Sequence, residues 1–171
     1  MGNDNEIDFE KLVDAYYQAL FRFAYSLSSS EHDAADLVQD TFIIFAKKGH
    51  TIRDVSKSKT WLFTTLHRQF LRQVRKHKRE VLNDPELLAS QAPAVDPEMA
   101  RTLDGAEALE ALTRISEVFR APLTLYYLQH FNYREIGEIL EIPIGTVMSR
   151  LARGKSELKK ILLQAPKSSE R

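Results

Sequence analysis

The chain has no cysteine, no net charge, and only six glycines, six prolines and one tryptophan among 171 residues. Without cysteine there can be no disulfide, thiolate zinc site or cysteine nucleophile, a composition that suits a reducing compartment. No apolar run approaches the roughly 20 residues that a membrane-spanning helix needs. The first residues, MGNDNEIDFEK, lack the basic start and apolar stretch of a secretory signal, and Glu6 stands where a myristoylation pattern needs Ser or Thr. A soluble, cytoplasmic protein without membrane insertion is expected. Strand signals are missing as well, with no alternating apolar run and no Asn-Gly hairpin. The histidines His32, His50, His67, His77 and His130 include no close pair at metal-ligand spacing on one face. There is no Gly-rich phosphate loop and no G-x-S-x-G. Hence no metal, no cofactor and no catalytic centre is expected.

What the chain does have is 43% hydrophobic residues, enough for packed cores in one domain or two small ones. Its zero net charge conceals segregation. Residues 1–50 hold 4 basic and 9 acidic residues, residues 51–80 hold 9 and 2, residues 81–112 hold 1 and 7, and residues 113–171 hold 10 and 6. Two basic blocks flank an acidic one. Phosphate affinity follows local charge, so two nucleic-acid-facing surfaces with an acidic connection are a physical reading. Two solvated helix faces are the plainer one. The stretch NDPELLASQAPAVDPEMARTLDG, 83–105, contains Pro85, Pro93 and Pro97 and few large apolar residues, as a linker with little fixed structure does.

Before it, three helices are expected. Phe9, Leu12, Tyr16, Leu20, Phe23 and Leu27 step by three or four, the core stripe of a long helix that Asp8 can cap. Ser30 can cap a second helix that carries Glu31 and Asp33 in its first turn and stops at Gly49. Ala34, Val38, Phe42 and Phe45 form its buried side, while Asp36, Asp40, Ile43 and Lys47, with Gln39 adjacent, line another. An acid row beside an exposed isoleucine is either solvated surface or a docking face for a basic partner. A polar loop, 51–60, leads to the third helix. There Leu62, Phe63, Leu66, Phe70 and Val74 share one side, and Arg68, Arg72, Arg75 and Arg79 run along the opposite one with Trp61 at their head. Cations that track a phosphate backbone beside a ring that can stack on a base suit single-stranded or melting nucleic acid. Equally, Trp61 can lie buried under the loop with the arginines merely solvated.

After the linker, YREIGEILEIPIGTVMSRLARGKSELKKIL reads as two helices around a turn. Ile136, Ile139 and Leu140 give the first an apolar side, and Pro143 disfavours helix at the residue before it. Gly145 and Thr146 then start the second, with Thr146 as its cap and Val147, Leu151, Leu158 and Leu162 facing the core. The other side carries Thr146, Ser149 and Arg153, with Arg150 at its edge, the groups that phosphates and major-groove base edges require. Two amphipathic helices of any origin share this outline, and late basic residues also suit a helix dipole.

Taken together, the two halves resemble the sigma factors of bacterial RNA polymerase in the sigma-70 superfamily, of the compact extracytoplasmic-function type. DAADLVQDTFIIFAKK is similar to that family's core-polymerase-binding helix, commonly DAEDLVQETF. TWLF resembles the opening of its promoter-melting helix, and EIPIGTVMSRLARGKSEL follows its pattern IPxGTVxSRLxRAR. The resemblance implies an all-α protein of two small helical domains, 1–82 and 106–171, joined by a flexible acidic linker, 83–105. It implies that Asp36, Gln39, Asp40, Ile43, Phe45 and Lys47 dock on the clamp helices of the largest polymerase subunit. The loop with Arg53, Lys57 and Lys59 would capture a flipped minus-10 base, and Trp61, Arg68, Arg72, Arg75, Lys76 and Arg79 would hold melted minus-10 DNA and upstream phosphates. Thr146, Met148, Ser149, Arg150, Ala152 and Arg153 would read the double-stranded minus-35 element. An anti-sigma factor is a further partner expected by analogy.

Four positions depart from the common patterns. Arg68 and Arg72 stand where Asn and Asp are common, Met148 where a basic residue is frequent, and Ala152 is smaller than many counterparts. Two other classes stay in view: a stand-alone helix-turn-helix regulator with a dimerising N-terminal half, and an interaction scaffold that never meets DNA. The basic Trp61–Arg79 helix discriminates, because a repressor has no use for a strand-opening surface.

Overall fold

The protein is described here from a computed structural model, which describes residues 8–52, 54–83 and 106–164. Arg53 and the connection 84–105 lie outside them. Among the described residues there are seven α-helices and no strand: α1 Phe9–Ser28, α2 Glu31–Lys48, α3 Ser58–Asn83, α4 Ala106–Thr113, α5 Glu117–Leu123, α6 Tyr133–Leu140 and α7 Ile144–Gln164. The chain divides into two compact units, residues 1–95 and 96–171.

In the first unit local chemistry sets the helix boundaries. The Asp8 carboxylate accepts from the Lys11 backbone N–H at 3.3 Å, and Ser29, in the left-handed region at φ 54°, ends α1. Extended Ser30 then caps α2 by accepting from the Asp33 N–H at 3.2 Å. The three helices pack on one core, in which Leu20, Phe23, Leu37, Leu62, Phe63 and Leu66 are fully enclosed. Burial of each such side chain contributes about 1.5–3 kcal/mol. The rings of Phe23 and Phe63 meet at 5.4 Å, and buried His67 lies against Phe23. Phe70 and Val74 are only half-buried, and residues 75–80 are all exposed. The outer half of α3 therefore leaves the core.

α2 stops at Gly49 as read from the sequence, and Gly49 caps it in the right-handed region at φ −60°. Glycine is needed because a Cβ would stand 2.9 Å from the Phe45 ring. The polar loop ends before residue 60. It holds two 3₁₀ turns, Gly49–Thr51 and Val55–Lys57, and 58–60 already belong to α3. Asp54 anchors the second turn, accepting from the Ser56 N–H at 3.0 Å and the Ser56 hydroxyl at 2.6 Å. Those bonds to Ser56 hold the Asp54 carboxyl below its ordinary pKa.

The second unit packs α5, α6 and α4 around α7. Pro122 supplies no N–H inside α5, and the helix then widens into a π turn, Thr124–Leu128, where Gln129 N–H reaches the Thr124 carbonyl at 3.2 Å. His130, at φ 59°, redirects the chain. A reciprocal cap then starts α6: the Asn132 side chain accepts from the Glu135 N–H at 3.0 Å, and the Glu135 carboxylate accepts from the Asn132 N–H at 2.8 Å. Glu141, left-handed at φ 56°, stops α6. Contrary to expectation, Thr146 is not the cap of α7. The helix begins at Ile144, and the Pro143 carbonyl accepts from Thr146 and Val147 at 2.9 and 3.1 Å. Proline suits that entrance, since an N–H there would find no partner within the helix. Ile136, Ile139, Leu140, Val147 and Leu151 form the buried seam between α6 and α7; Leu158 is half-buried and the Leu162 side chain lies outside the description.

Candidate functional site

On α2 the acid row has the exposure a docking face needs. Asp36, Gln39, Asp40, Ile43 and Lys47 are all exposed, Ile43 at 45%. His32 Nε2 lies 3.4 Å from Asp36 Oδ2. Phe45 must be taken off this face. It is 4% exposed, because it stands seven residues after Val38 and so on the core side of α2. Its ring is held between Phe9 at 6.3 Å and Trp61 at 5.5 Å, so it supports the surface without forming it.

A feature absent from the sequence reading adjoins the row. Phe9, Val13 and Tyr17 of α1 and Asp36, Gln39 and Ile43 of α2 line a groove of about 480 Å³. Its walls are apolar and aromatic and its rim is acidic. The signal was a second stripe, Phe9, Val13, Tyr17 and Phe21 at steps of four, running beside the core stripe of α1. Tyr17, Phe21 and Tyr25 continue it as a stacked ladder with ring spacings of 6.4 and 6.5 Å.

Beyond α2, Lys57 is exposed and Lys59 half-buried. Trp61 is half-buried with its ring edge-on to Phe45 at 74°, so neither extreme reading holds: one side is tied to the core and part remains accessible. Arg68, Arg72, Arg75, Lys76 and Arg79 are exposed on α3. At about 100° per residue the four arginines fall within roughly 60° of one another around the helix axis. No acidic residue occurs between Ser58 and Arg79; the first, Glu80, lies 3.8 Å from Lys76. A cationic track of this kind can follow phosphates.

In the second unit, α7 presents exposed Met148, Ser149, Ala152 and Arg153, with Thr146 and Arg150 half-buried at the flank. The Ser149 hydroxyl donates to the Thr146 carbonyl at 3.1 Å, which leaves its lone pairs for an outside donor. From the far half of α7, the Glu157 carboxylate accepts from the Ser116 N–H at 3.2 Å and pins the start of α5. Two exposed features were missed: Ile144, at the variable position of the turn, and a cluster of Tyr126, Tyr127 and Tyr133 with ring spacings of 5.0 and 5.5 Å. The π turn carries the first two tyrosines to the third, and Tyr126 pushes the Tyr133 phenol above its ordinary pKa.

Among the described residues no three His, Asp or Glu side chains gather as a metal site, and no helix is long and apolar enough to cross a membrane. Residues 12–80 match sigma-70 region 2, and residues 106–158 match sigma-70 region 4. The ECF RNA polymerase sigma factor SigM of Bacillus subtilis is 33% identical over 156 residues, covering 88% of this chain and 92% of that protein. SigW of the same organism is 28% identical over 165 residues, covering 90% and 88%. The sigma factor RpoE of Bartonella quintana, solved in complex with the anti-sigma factor NepR, is similar with a TM-score of 0.78 and 33% identity, covering 93% of this chain and 99% of that one. Region 2 and region 4 on one chain support a promoter-directing factor and not the stand-alone regulator. The chain belongs to the sigma-70 family of RNA polymerase sigma factors, in its extracytoplasmic-function (ECF) group.

Proposed function

We propose that this sigma factor docks on core RNA polymerase through the exposed row Asp36, Gln39, Asp40, Ile43 and Lys47, with the α1 groove beside it. Residues 1–82 form the docking and melting domain, 83–105 the acidic connection, and 106–171 the minus-35 domain. Arg53, Lys57 and Lys59 serve to capture a flipped minus-10 base. Trp61, Arg68, Arg72, Arg75, Lys76 and Arg79 hold the opened strand. Flipping a base costs a few kcal/mol, which a preformed cationic track offsets. Thr146, Met148, Ser149, Arg150, Ala152 and Arg153 meet the minus-35 duplex, in the way a recognition helix enters the major groove. Nucleotidyl transfer belongs to the polymerase, and this chain adds no catalytic group. It works in the cytoplasm, where its DNA and polymerase are, and an anti-sigma factor restrains it, as NepR is found with RpoE.

The observation that carries this reading is the acid-free arginine stripe of α3 in the same compact unit as the acidic docking row. In-vitro transcription with core polymerase and a promoter pool tests it. Alone, the protein binds duplex promoters weakly; with core, it opens a specific subset. Asp40→Arg reverses a charge on an exposed position, so it abolishes association with core while circular dichroism and melting temperature stay unchanged. Tight sequence-specific binding by the isolated protein without effect on polymerase, or normal core association by Asp40→Arg, overturns the assignment.

A further inference from the structure

The DNA-facing side of α7 has an unusual chemistry. Ile144 and Met148 are each 53% exposed, among the most exposed apolar residues of the described chain. Four residues apart on one helix, they are neighbours on its surface. The buried α7 residues of the seam with α6 are Val147 and Leu151. Across residues 144–153 the cations are Arg150 and Arg153. Arg150 is half-buried at the flank, and Arg153 lies about 140° around the axis from Met148. Along the middle of the exposed side stand Gly145, Ser149 and Ala152, all short. The apolar pair and Arg153 therefore lie on different parts of the exposed side.

We propose that Met148, with Ile144 one turn before it, reads thymine in the minus-35 element by contact with the C5-methyl group. The proposal rests on the reading that α7 enters the major groove. In that groove thymine alone among the four bases displays a methyl; guanine, cytosine and adenine show acceptors or donors there. A thioether and a sec-butyl group can bury a methyl but cannot satisfy a cytosine amine or a guanine carbonyl. A cytosine or guanine in that place loses water without gaining a partner, which penalises it. The unbranched methionine side chain, with its rotatable bonds, can follow the methyl as the helix settles. Specificity at this position comes from an apolar contact and the penalty against polar edges, while Arg153 specifies its own base by hydrogen bonds.

The test uses holoenzyme assembled from core polymerase and the full chain. Upstream promoter sequence is selected from a randomised pool with the wild type, Met148→Ala and Arg153→Ala. The wild type is expected to prefer thymine at one or two positions; Met148→Ala loses that preference and keeps the rest, and Arg153→Ala does the reverse. Deoxyuridine is then placed at the selected thymine, which removes the methyl and nothing else. Wild-type promoter binding falls about three- to fivefold per methyl, the fold-change that corresponds to roughly 0.8 kcal/mol for a buried methylene-sized group. Met148→Ala shows no further loss with deoxyuridine. Equal tolerance of deoxyuridine by wild type and variant, or an equal loss in both, overturns the methyl contact. So does a Met148→Ala variant that keeps every base preference but associates less with polymerase, which would make the apolar pair a protein contact. If neither variant changes any upstream preference, the placement of α7 in the groove fails, a result distinct from failure of the methyl contact alone. Met148 is exposed, so an unchanged melting temperature confirms that each readout concerns DNA.

Discussion

Helices α3 and α7 are built alike on the inside and differently on the outside. Each buries one apolar side, Leu62, Phe63 and Leu66 in one and Val147 and Leu151 in the other. Outward, α3 shows four arginines in line and no acid before Glu80, whereas α7 shows short or apolar residues with Arg153 beside them. The first surface suits phosphates, which are the same at every base pair; the second suits base edges, which are not. Amphipathicity builds both helices, and the composition of the free side divides the labour between them.

The largest expected break in that comparison comes from Arg72→Ala with Arg75→Ala. Two phosphate contacts fewer should lower the salt slope of open-complex formation by about 1.4 to 1.8, at roughly 0.7 to 0.9 per phosphate, and weaken opening on all promoters alike. Open-complex titrations over a salt series measure it, and a promoter-dependent effect would mean that α3 reads sequence. Arg153→Ala should act oppositely, costing about 1–3 kcal/mol at matched minus-35 sites, relaxing one or two positions and leaving the salt slope lowered by at most about one unit. Competition between matched and mismatched promoters separates these outcomes.

Trp61→Ala tests the join between core and melting face. Because its ring is half-buried on Phe45, the substitution should lower stability as well as slow opening on duplex promoters. Opening on a pre-melted bubble should suffer less. Permanganate footprinting of unpaired thymines reads the rates; a wild-type rate on duplex DNA would leave Trp61 as packing only.

The smallest effects on promoter recognition come from two glycines of α7. A Cβ at Gly154 would stand 2.9 Å from Phe119 Cβ and 2.8 Å from Leu123 Cδ1, so Gly154→Ala should destabilise the second unit by about 1–3 kcal/mol through overpacking against α5. A Cβ at Gly145 meets nothing within 4 Å. Gly145→Ala should stabilise the helix by about 0.5–1 kcal/mol, yet weaken minus-35 binding if the groove wall passes close by. Thermal melts beside promoter competition distinguish a glycine kept for packing from one kept for DNA.

Much of this organisation was legible in order along the chain. Asp8 and Ser30 cap the helices expected of them because a cap joins groups three residues apart, and such contacts need no knowledge of the rest of the molecule. The exposure of Asp36, Asp40 and Ile43 and of the arginine stripe followed from helical periodicity for the same reason. Phe45 was legible as core by that periodicity, and only the family pattern drew it toward the docking face. Thr146 was misread because two adjacent signals competed, and the Pro143 carbonyl took the entrance of α7.

By itself, then, the sequence determined α1, α2, α3, α6 and α7, the caps at Asp8, Ser30 and Gly49, their buried sides, the segregation of charge and the family pattern, all encoded by neighbours within a turn or two. Only the tertiary structure decided that Phe9, Val13 and Tyr17 meet Asp36 and Ile43 in a groove and that Trp61 is half-held by Phe45. It also placed Tyr126 and Tyr127 beside Tyr133 and made glycine necessary at 154. Each of these depends on how one helix lies against another or on a distorted turn, and helical periodicity says which side a residue faces without saying what will face it.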